Sequence, residues 1–247
     1  MTFPFGYDPA IAGDEYYAKE ENGTPGQYNY VIFDTGSDIT WIQCKPCLKC
    51  FNQPENVNIQ ATASRTCVSN KCFYDSGSTG YITFGKPGDL MNKYIKFTPI
   101  PTTSQQSQFY DVVITGISVA GKNLPIKSSI YTKGGAVIDS GTVITRLQLK
   151  AYAVLRSAFR KEMSRYKIAT PGRNTDTCYD FSSYETVVVP KVSFFFKGGV
   201  ELEVDVKGIF LPKSGDGAIL GNLMQRSVQV VHDVEGGRVG FGPGTCT

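Results

Sequence analysis

Val31-Ile32-Phe33-Asp34-Thr35-Gly36-Ser37-Asp38-Ile39-Thr40-Trp41 is an apolar run that ends in a carboxylate on a Thr-Gly-Ser turn, followed by a second apolar run. A related stretch, Ala136-Val137-Ile138-Asp139-Ser140-Gly141-Thr142-Val143-Ile144-Thr145, follows 105 residues later. Asp, Gly, Ile and Thr coincide at four of ten positions, and Thr35/Ser140 and Ser37/Thr142 exchange one hydroxyl for another. A lone Asp-Thr-Gly is ordinarily a β-turn. Two copies in matching apolar frames are specific, and describe a repeated turn held between buried strands.

A carboxylate among apolar strands is costly unless it is hydrogen-bonded. Two such sites related by an internal repeat can meet at a pseudo-two-fold axis, where like charges at contact share one proton; the aspartic-protease dyad is the standard example of this effect. One carboxylate then serves as general base on a water while the protonated one hydrogen-bonds a substrate carbonyl. Gly36 and Gly141 let backbone approach the carboxylates, and the Ser37 and Thr142 hydroxyls can donate to their outer oxygens. This chemistry requires no metal, cofactor or nucleophilic side chain.

The 247 residues suffice for a sizeable core in one or two domains. With 25 basic and 22 acidic side chains, the net charge of +3 is too small to imply a nucleic-acid partner. No apolar run approaches the roughly 20 residues of a membrane-spanning helix, and Met1 to Tyr7 carry no signal-peptide pattern. Seven cysteines is an odd count. Cys44, Cys47, Cys50, Cys67 and Cys72 cluster, while Cys178 and Cys246 stand apart. The cluster suits either a zinc site or disulfides in an oxidising compartment, and neither uses all seven.

Residues 1–26 are polar and turn-rich, and Asn22-Gly23-Thr24 is either a surface turn or, in a secreted chain, a glycosylation acceptor. Short β-branched or aromatic runs predict strands at 28–33, 39–43, 80–84, 95–100, 109–119, 187–189, 192–196, 201–206, 218–220, 227–232 and 238–241. Residues 45–78 read as loop. Tyr152, Leu155, Phe159, Met163 and Tyr166 form one helical stripe, predicting a helix over 147–166 whose basic residues make a solvated face. His232, the single histidine, precedes Asp233, but it lies on an apolar strand and reads as structural rather than as a triad base. Trp41 and Tyr110 read as core or cleft-wall residues. The chain is mostly β.

These motifs resemble the pepsin-like aspartic proteases, and among them the plant nucellin- and nepenthesin-like branch. Phe33 to Cys44 is similar to that branch's first catalytic motif and Val137 to Leu147 to its second. Gly23-Thr24-Pro25, Asp176-Thr177-Cys178-Tyr179, Ala218-Ile219-Leu220-Gly221-Asn222 and Gly237-Arg238-Val239-Gly240-Phe241 fit as well. The resemblance implies a bilobal pepsin-like fold with an N-terminal lobe, 1–103, carrying Asp34 and a C-terminal lobe, 104–247, carrying Asp139. Thr35, Gly36, Ser37, Ser140, Gly141 and Thr142 would support the dyad. It further implies an endopeptidase working at acidic pH as a monomer on peptide or protein substrates, in an extracellular or other secretory compartment.

The same comparison makes the N-terminal lobe truncated. Between Cys72 and Gly80 the family has a β-hairpin flap and then an apolar-apolar-Gly segment supporting the first catalytic loop; here Cys72-Phe73-Tyr74-Asp75 runs straight on to Gly80-Tyr81-Ile82. Tyr74-Asp75-Ser76-Gly77-Ser78 has the outline of a flap tip, with Tyr74 the flap candidate, and reads better as a junction left by a deletion. A smaller gap follows Leu211-Pro212. It removes the segment with the usual partner of Cys178, and Cys246 loses its partner too, which explains the odd count and turns the cluster towards disulfides. The family's prosegment is not in the chain either. A flap excludes water and orients substrate, so its loss predicts a slow enzyme. The alternatives are a catalytically impaired relative acting as a binding or inhibitor protein, or an incomplete gene model of a protease.

Overall fold

In a computed structural model the described residues are 2–6, 16–22, 27–37, 66–70, 79–85, 93–101, 109–171, 175–205, 208 and 210–244. The flap candidate Tyr74, Trp41 and the strand expected at 39–43 lie outside them, as do Cys44, Cys47, Cys50, Cys72 and Cys246.

An eight-stranded sheet joins the two ends of the chain. Its order is Gln27–Ile32, Tyr17–Asn22, Thr2–Gly6, Thr79–Phe84, Thr66–Asn70, Val228–Asp233, Arg238–Pro243 and Lys96–Pro99. The Val228–Asp233 strand is the junction, pairing antiparallel with Thr66–Asn70 on one side and Arg238–Pro243 on the other. Its neighbouring Val230 and Val231 are both buried, so this strand is covered on both faces. His232 beside them is 1% exposed, with its ring tilted against Tyr110 at 4.2 Å.

A four-stranded sheet, ordered Val200–Val204, Val192–Phe196, Ile114–Val119 and Lys122–Asn123, forms an outer layer of the C-terminal half. Val200, Leu202 and Val204 are buried while Glu201 and Glu203 are exposed, the period-two signature of a strand with one wet face. Ala120 and Gly121 connect two of its strands with φ of 50° and 74°, the doubly left-handed turn that suits a two-residue hairpin.

A five-stranded sheet, ordered Phe210–Lys213, Thr145–Gln148, Ala218–Leu220, Ala136–Ile138 and Tyr110–Val112, carries the second repeat turn. The helix Leu149–Glu162 buries Ala151, Tyr152 and Leu155, and joins both C-terminal sheets in one core with Ile117, Ile138, Phe194 and Leu220. Arg160 and Lys161 in its last turn complement the negative end of the helix dipole.

The mostly-β expectation holds, with differences that have local causes. Leu147 and Gln148 belong to a strand rather than to the helix; Gln148 buries its amide to donate to the Ile130 carbonyl at 2.9 Å. The expected 109–119 strand is two, Tyr110–Val112 and Ile114–Val119. Residues 187–189 are not a strand: the Val188 amide donates to the Tyr166 hydroxyl at 2.7 Å instead of to a neighbouring strand. Thr2–Gly6, Tyr17–Asn22 and Thr66–Asn70 are strands where sequence suggested turns and loop.

Candidate active site

The two repeat turns face one another through a reciprocal set of hydrogen bonds. The Thr35 amide donates to Ser140 Oγ at 3.0 Å, and the Ser140 amide donates to Thr35 Oγ1 at 3.0 Å. Each hydroxyl then donates onward into the opposite loop: Thr35 Oγ1 to the Ile138 carbonyl at 3.2 Å, Ser140 Oγ to the Phe33 carbonyl at 2.8 Å. Thr35 and Ser140 are both buried, so these bonds form away from competing water.

The carboxylates are gripped in matching fashion. Asp34 Oδ1 accepts from the Gly36 amide at 2.7 Å, and its Oδ2 from the Ser37 hydroxyl at 2.6 Å. Asp139 Oδ1 accepts from the amides of Gly141 at 2.8 Å and Thr142 at 3.1 Å, and its Oδ2 from the Thr142 hydroxyl at 2.6 Å. Each carboxylate also sits over the other loop's glycine. A Cβ on Gly36 would stand 2.7 Å from Asp139 Cγ, and one on Gly141 would collide with the Asp34 carboxylate. Neither glycine has positive φ; the requirement is for space. The structure thus brings together Asp34, Thr35, Gly36, Ser37, Asp139, Ser140, Gly141 and Thr142.

Support beneath the two loops is unequal. Ala136–Ile138 lies inside its sheet, parallel to Ala218–Leu220 and antiparallel to Tyr110–Val112. The chain after Leu220 packs under the second turn: the Asp139 amide donates to the Leu220 carbonyl at 3.1 Å, the Asn222 amide to Thr142 at 2.7 Å and the Leu223 amide to Val143 at 3.1 Å. A Cβ on Gly221 would lie 2.7 Å from the Thr142 carbonyl oxygen, so only glycine passes there. Gln225, 1% exposed, donates from Nε2 to the carbonyls of Asp139 at 3.2 Å and Leu220 at 3.0 Å. Sequence reasoning identified Ile219-Leu220-Gly221 but not Gln225, whose one signal is its place three residues after Asn222. Gln27–Ile32, which leads to Asp34, ends the order of its sheet and among the described strands pairs only with Tyr17–Asn22.

Among the described residues no group of three or more His, Cys, Asp or Glu side chains could hold a metal, and no helix is long and apolar enough to cross a membrane. Cys178 Sγ lies 3.1 Å from the Thr175 hydroxyl.

Comparison with known proteins places the chain in a family. The family described as xylanase inhibitor C-terminal matches residues 109–243, and xylanase inhibitor N-terminal matches residues 16–80. An aspartyl protease family protein of Arabidopsis thaliana is 31% identical over 350 residues, covering 96% of this chain and 73% of the relative. Aspartyl protease AED1 of the same plant is 32% identical over 91% of this chain and 70% of its own length, and aspartic proteinase nepenthesin-2 of Nepenthes gracilis is 28% identical over 96% and 80%. The crystal structure of basic 7S globulin from soybean superposes with a TM-score of 0.74 at 14% identity, over 98% of this chain and 95% of that one, so the fold is shared. The chain belongs to the pepsin-like aspartic protease family, in its plant branch. The first alignment spans 350 positions against 247 residues here, so within the aligned stretch alone that relative has about a hundred residues without counterpart in this chain.

Proposed function

We propose that the chain is an aspartic endopeptidase, hydrolysing peptide bonds at acidic pH through Asp34 and Asp139. The observation that carries this reading is the reciprocal grip of Thr35 and Ser140, which holds two carboxylates, each bonded by its own glycine amide and hydroxyl, across a near-symmetric junction. With one proton between them, the ionised carboxylate takes a proton from water as the water attacks the scissile carbonyl. The protonated one hydrogen-bonds the carbonyl oxygen where negative charge develops. Proton return to the amine completes cleavage. Ser37, Thr142 and the glycine amides keep the carboxylate planes from rotating, so little reorganisation is needed on reaction.

In this reading residues 1–103 and 104–247 are the two lobes, and the enzyme is a monomer acting on peptide segments in a secretory or extracellular compartment. Asp139 rests on Ala218–Leu220, whereas the strand before Asp34 ends its sheet order. That asymmetry supports a slow enzyme. The test is hydrolysis of an acid-denatured protein at about pH 4, inhibited by pepstatin and lost in Asp139→Asn. Equal cleavage by that variant sinks the dyad; tight stoichiometric binding of a target without turnover would instead favour a binding protein.

A further inference from the structure

Away from the paired turns, the helix Leu149–Glu162 does not close fully on the strands opposite it. Tyr152, Leu155 and Phe159 from the helix, with Val192, Val204 and Phe210 from the strands, wall a hollow of about 320 Å3. Neither Asp34, Asp139 nor any residue of their turns lines it. We propose that this hollow is a binding site for a small, neutral, two-ring aromatic molecule.

Size comes first. An apolar cavity of about 150 Å3 takes one benzene ring, so one about twice as large takes two. The walls are apolar and include three aromatic rings, which favour offset or edge contacts with another aromatic. Phe210 is held by stacking on Phe194, centroids 5.8 Å apart and planes 22° apart, so that wall is preformed.

Charge decides the rest. One end of the hollow is polar, and its charged centre, Asp176, is already engaged. The Asp176 carboxylate accepts from the Tyr152 hydroxyl at 2.6 Å, from the Thr177 hydroxyl at 3.0 Å and from the Arg156 guanidinium. An anion would therefore meet a guanidinium already bound to a carboxylate, with the second carboxylate of Asp205 also on the lining. A cation would compete with donors that Asp176 already holds, and Asp205, the other acidic residue on the lining, is not free either. Either charge would have to be stripped of water for little return. A neutral hydroxyl is different, because the Thr175 hydroxyl, 3.1 Å from Cys178 Sγ, can still accept from it, or donate to it where the thiol is the donor in that contact.

The proposal does not rest on the protease reading, and binding alone tests it. Titrating 2-naphthol into the full chain at about pH 6, followed by calorimetry and ligand fluorescence, should give a saturable one-to-one isotherm with Kd on the order of 10–100 μM. The anion 2-naphthoate, with the same rings, should bind at least about tenfold more weakly. Val189→Trp, which fills the hollow, should weaken 2-naphthol about tenfold or more. Thr175→Val, which keeps the shape and removes the hydroxyl, should weaken it several-fold and serves if the tryptophan variant misfolds by circular dichroism. Absence of saturation, equal binding of the two ligands, or wild-type affinity in the folded variants overturns the proposal.

Discussion

Thr35 and Ser140 each donate a backbone amide to the other's hydroxyl, both at 3.0 Å, and so tie together two turns that are 105 residues apart. Three of the four bonds are buried and the fourth partly so, and each hydroxyl is both acceptor and donor, so removing one oxygen takes a partner from two backbone groups. Thr35→Ala takes the acceptor from the Ser140 amide and a donor from the Ile138 carbonyl; Ser140→Ala does the same to the Thr35 amide and the Phe33 carbonyl. Each variant should lose about 2–4 kcal/mol in thermal or denaturant unfolding, since an unmet buried group costs about 1–3 kcal/mol. The double variant should lose less than the sum, because both changes break the same junction. Thr35→Ser, which keeps the oxygen, should lose clearly less than Thr35→Ala.

The glycines predict a separation of activity from stability. Gly36 has no positive φ, so alanine brings no backbone strain there, but its methyl would stand 2.7 Å from Asp139 Cγ. The methyl can fit only by displacing the carboxylate that faces it. Gly36→Ala should fold, with Tm lowered by a few degrees at most, while kcat on a peptide substrate falls about 100-fold or more, the penalty of an ångström-scale misplacement. A variant that keeps wild-type kcat would show that the facing carboxylate does not act in the reaction.

Much of this site was legible in sequence because it is written twice. Asp34-Thr35-Gly36-Ser37 and Asp139-Ser140-Gly141-Thr142 carry the carboxylate, the cross-loop hydroxyl, the space and the orienting hydroxyl at the same offsets, and all eight meet. Less legible were features whose cause is non-local. Thr2–Gly6 and Tyr17–Asn22 are strands because neighbours pair with them, not because their residues alternate. Residues 187–189 have strand composition, yet Pro190 follows, Val188 is 59% exposed, and the Val188 amide finds a tyrosine hydroxyl. The helical stripe was real, but Met163 and Tyr166 extend it as buried residues past the last helical turn.

Acid should loosen the helix Leu149–Glu162 at one definable contact. Burial by itself would raise the Asp176 carboxyl, but hydrogen bonds from Tyr152, Arg156 and Thr177 outweigh it and hold that group below its ordinary 3.8. For a carboxyl lowered in the folded state, the stabilisation is fully present above the unfolded value and is lost as pH falls through the folded one. The Tm difference between wild type and Asp176→Asn should therefore be constant from neutrality down to about pH 5, then shrink below 3.8. Because the Arg156–Asp176 pair is partly exposed, the difference itself should be small. A gap that widens on acidification would assign the acid sensitivity to another group.

Gln225 bonds the backbone on both sides of the second loop's support, donating to the carbonyl of Asp139 at 3.2 Å and to that of Leu220 at 3.0 Å. Its side chain touches no reacting atom, so it acts by position. Gln225→Met keeps the volume and removes the amide, leaving two carbonyls without this donor inside a buried site, at a cost of about 1–3 kcal/mol. A purely structural role would lower Tm and leave kcat and its pH profile unchanged in the folded fraction. A positioning role lets Asp139 move relative to Asp34, so kcat should fall about tenfold with KM nearly constant, and the acid limb of the pH–rate profile should shift. Gln225→Glu, whose neutral form at acidic pH can donate again to one carbonyl, should recover part of the loss at about pH 4 and lose it as the pH rises through the ordinary carboxyl range.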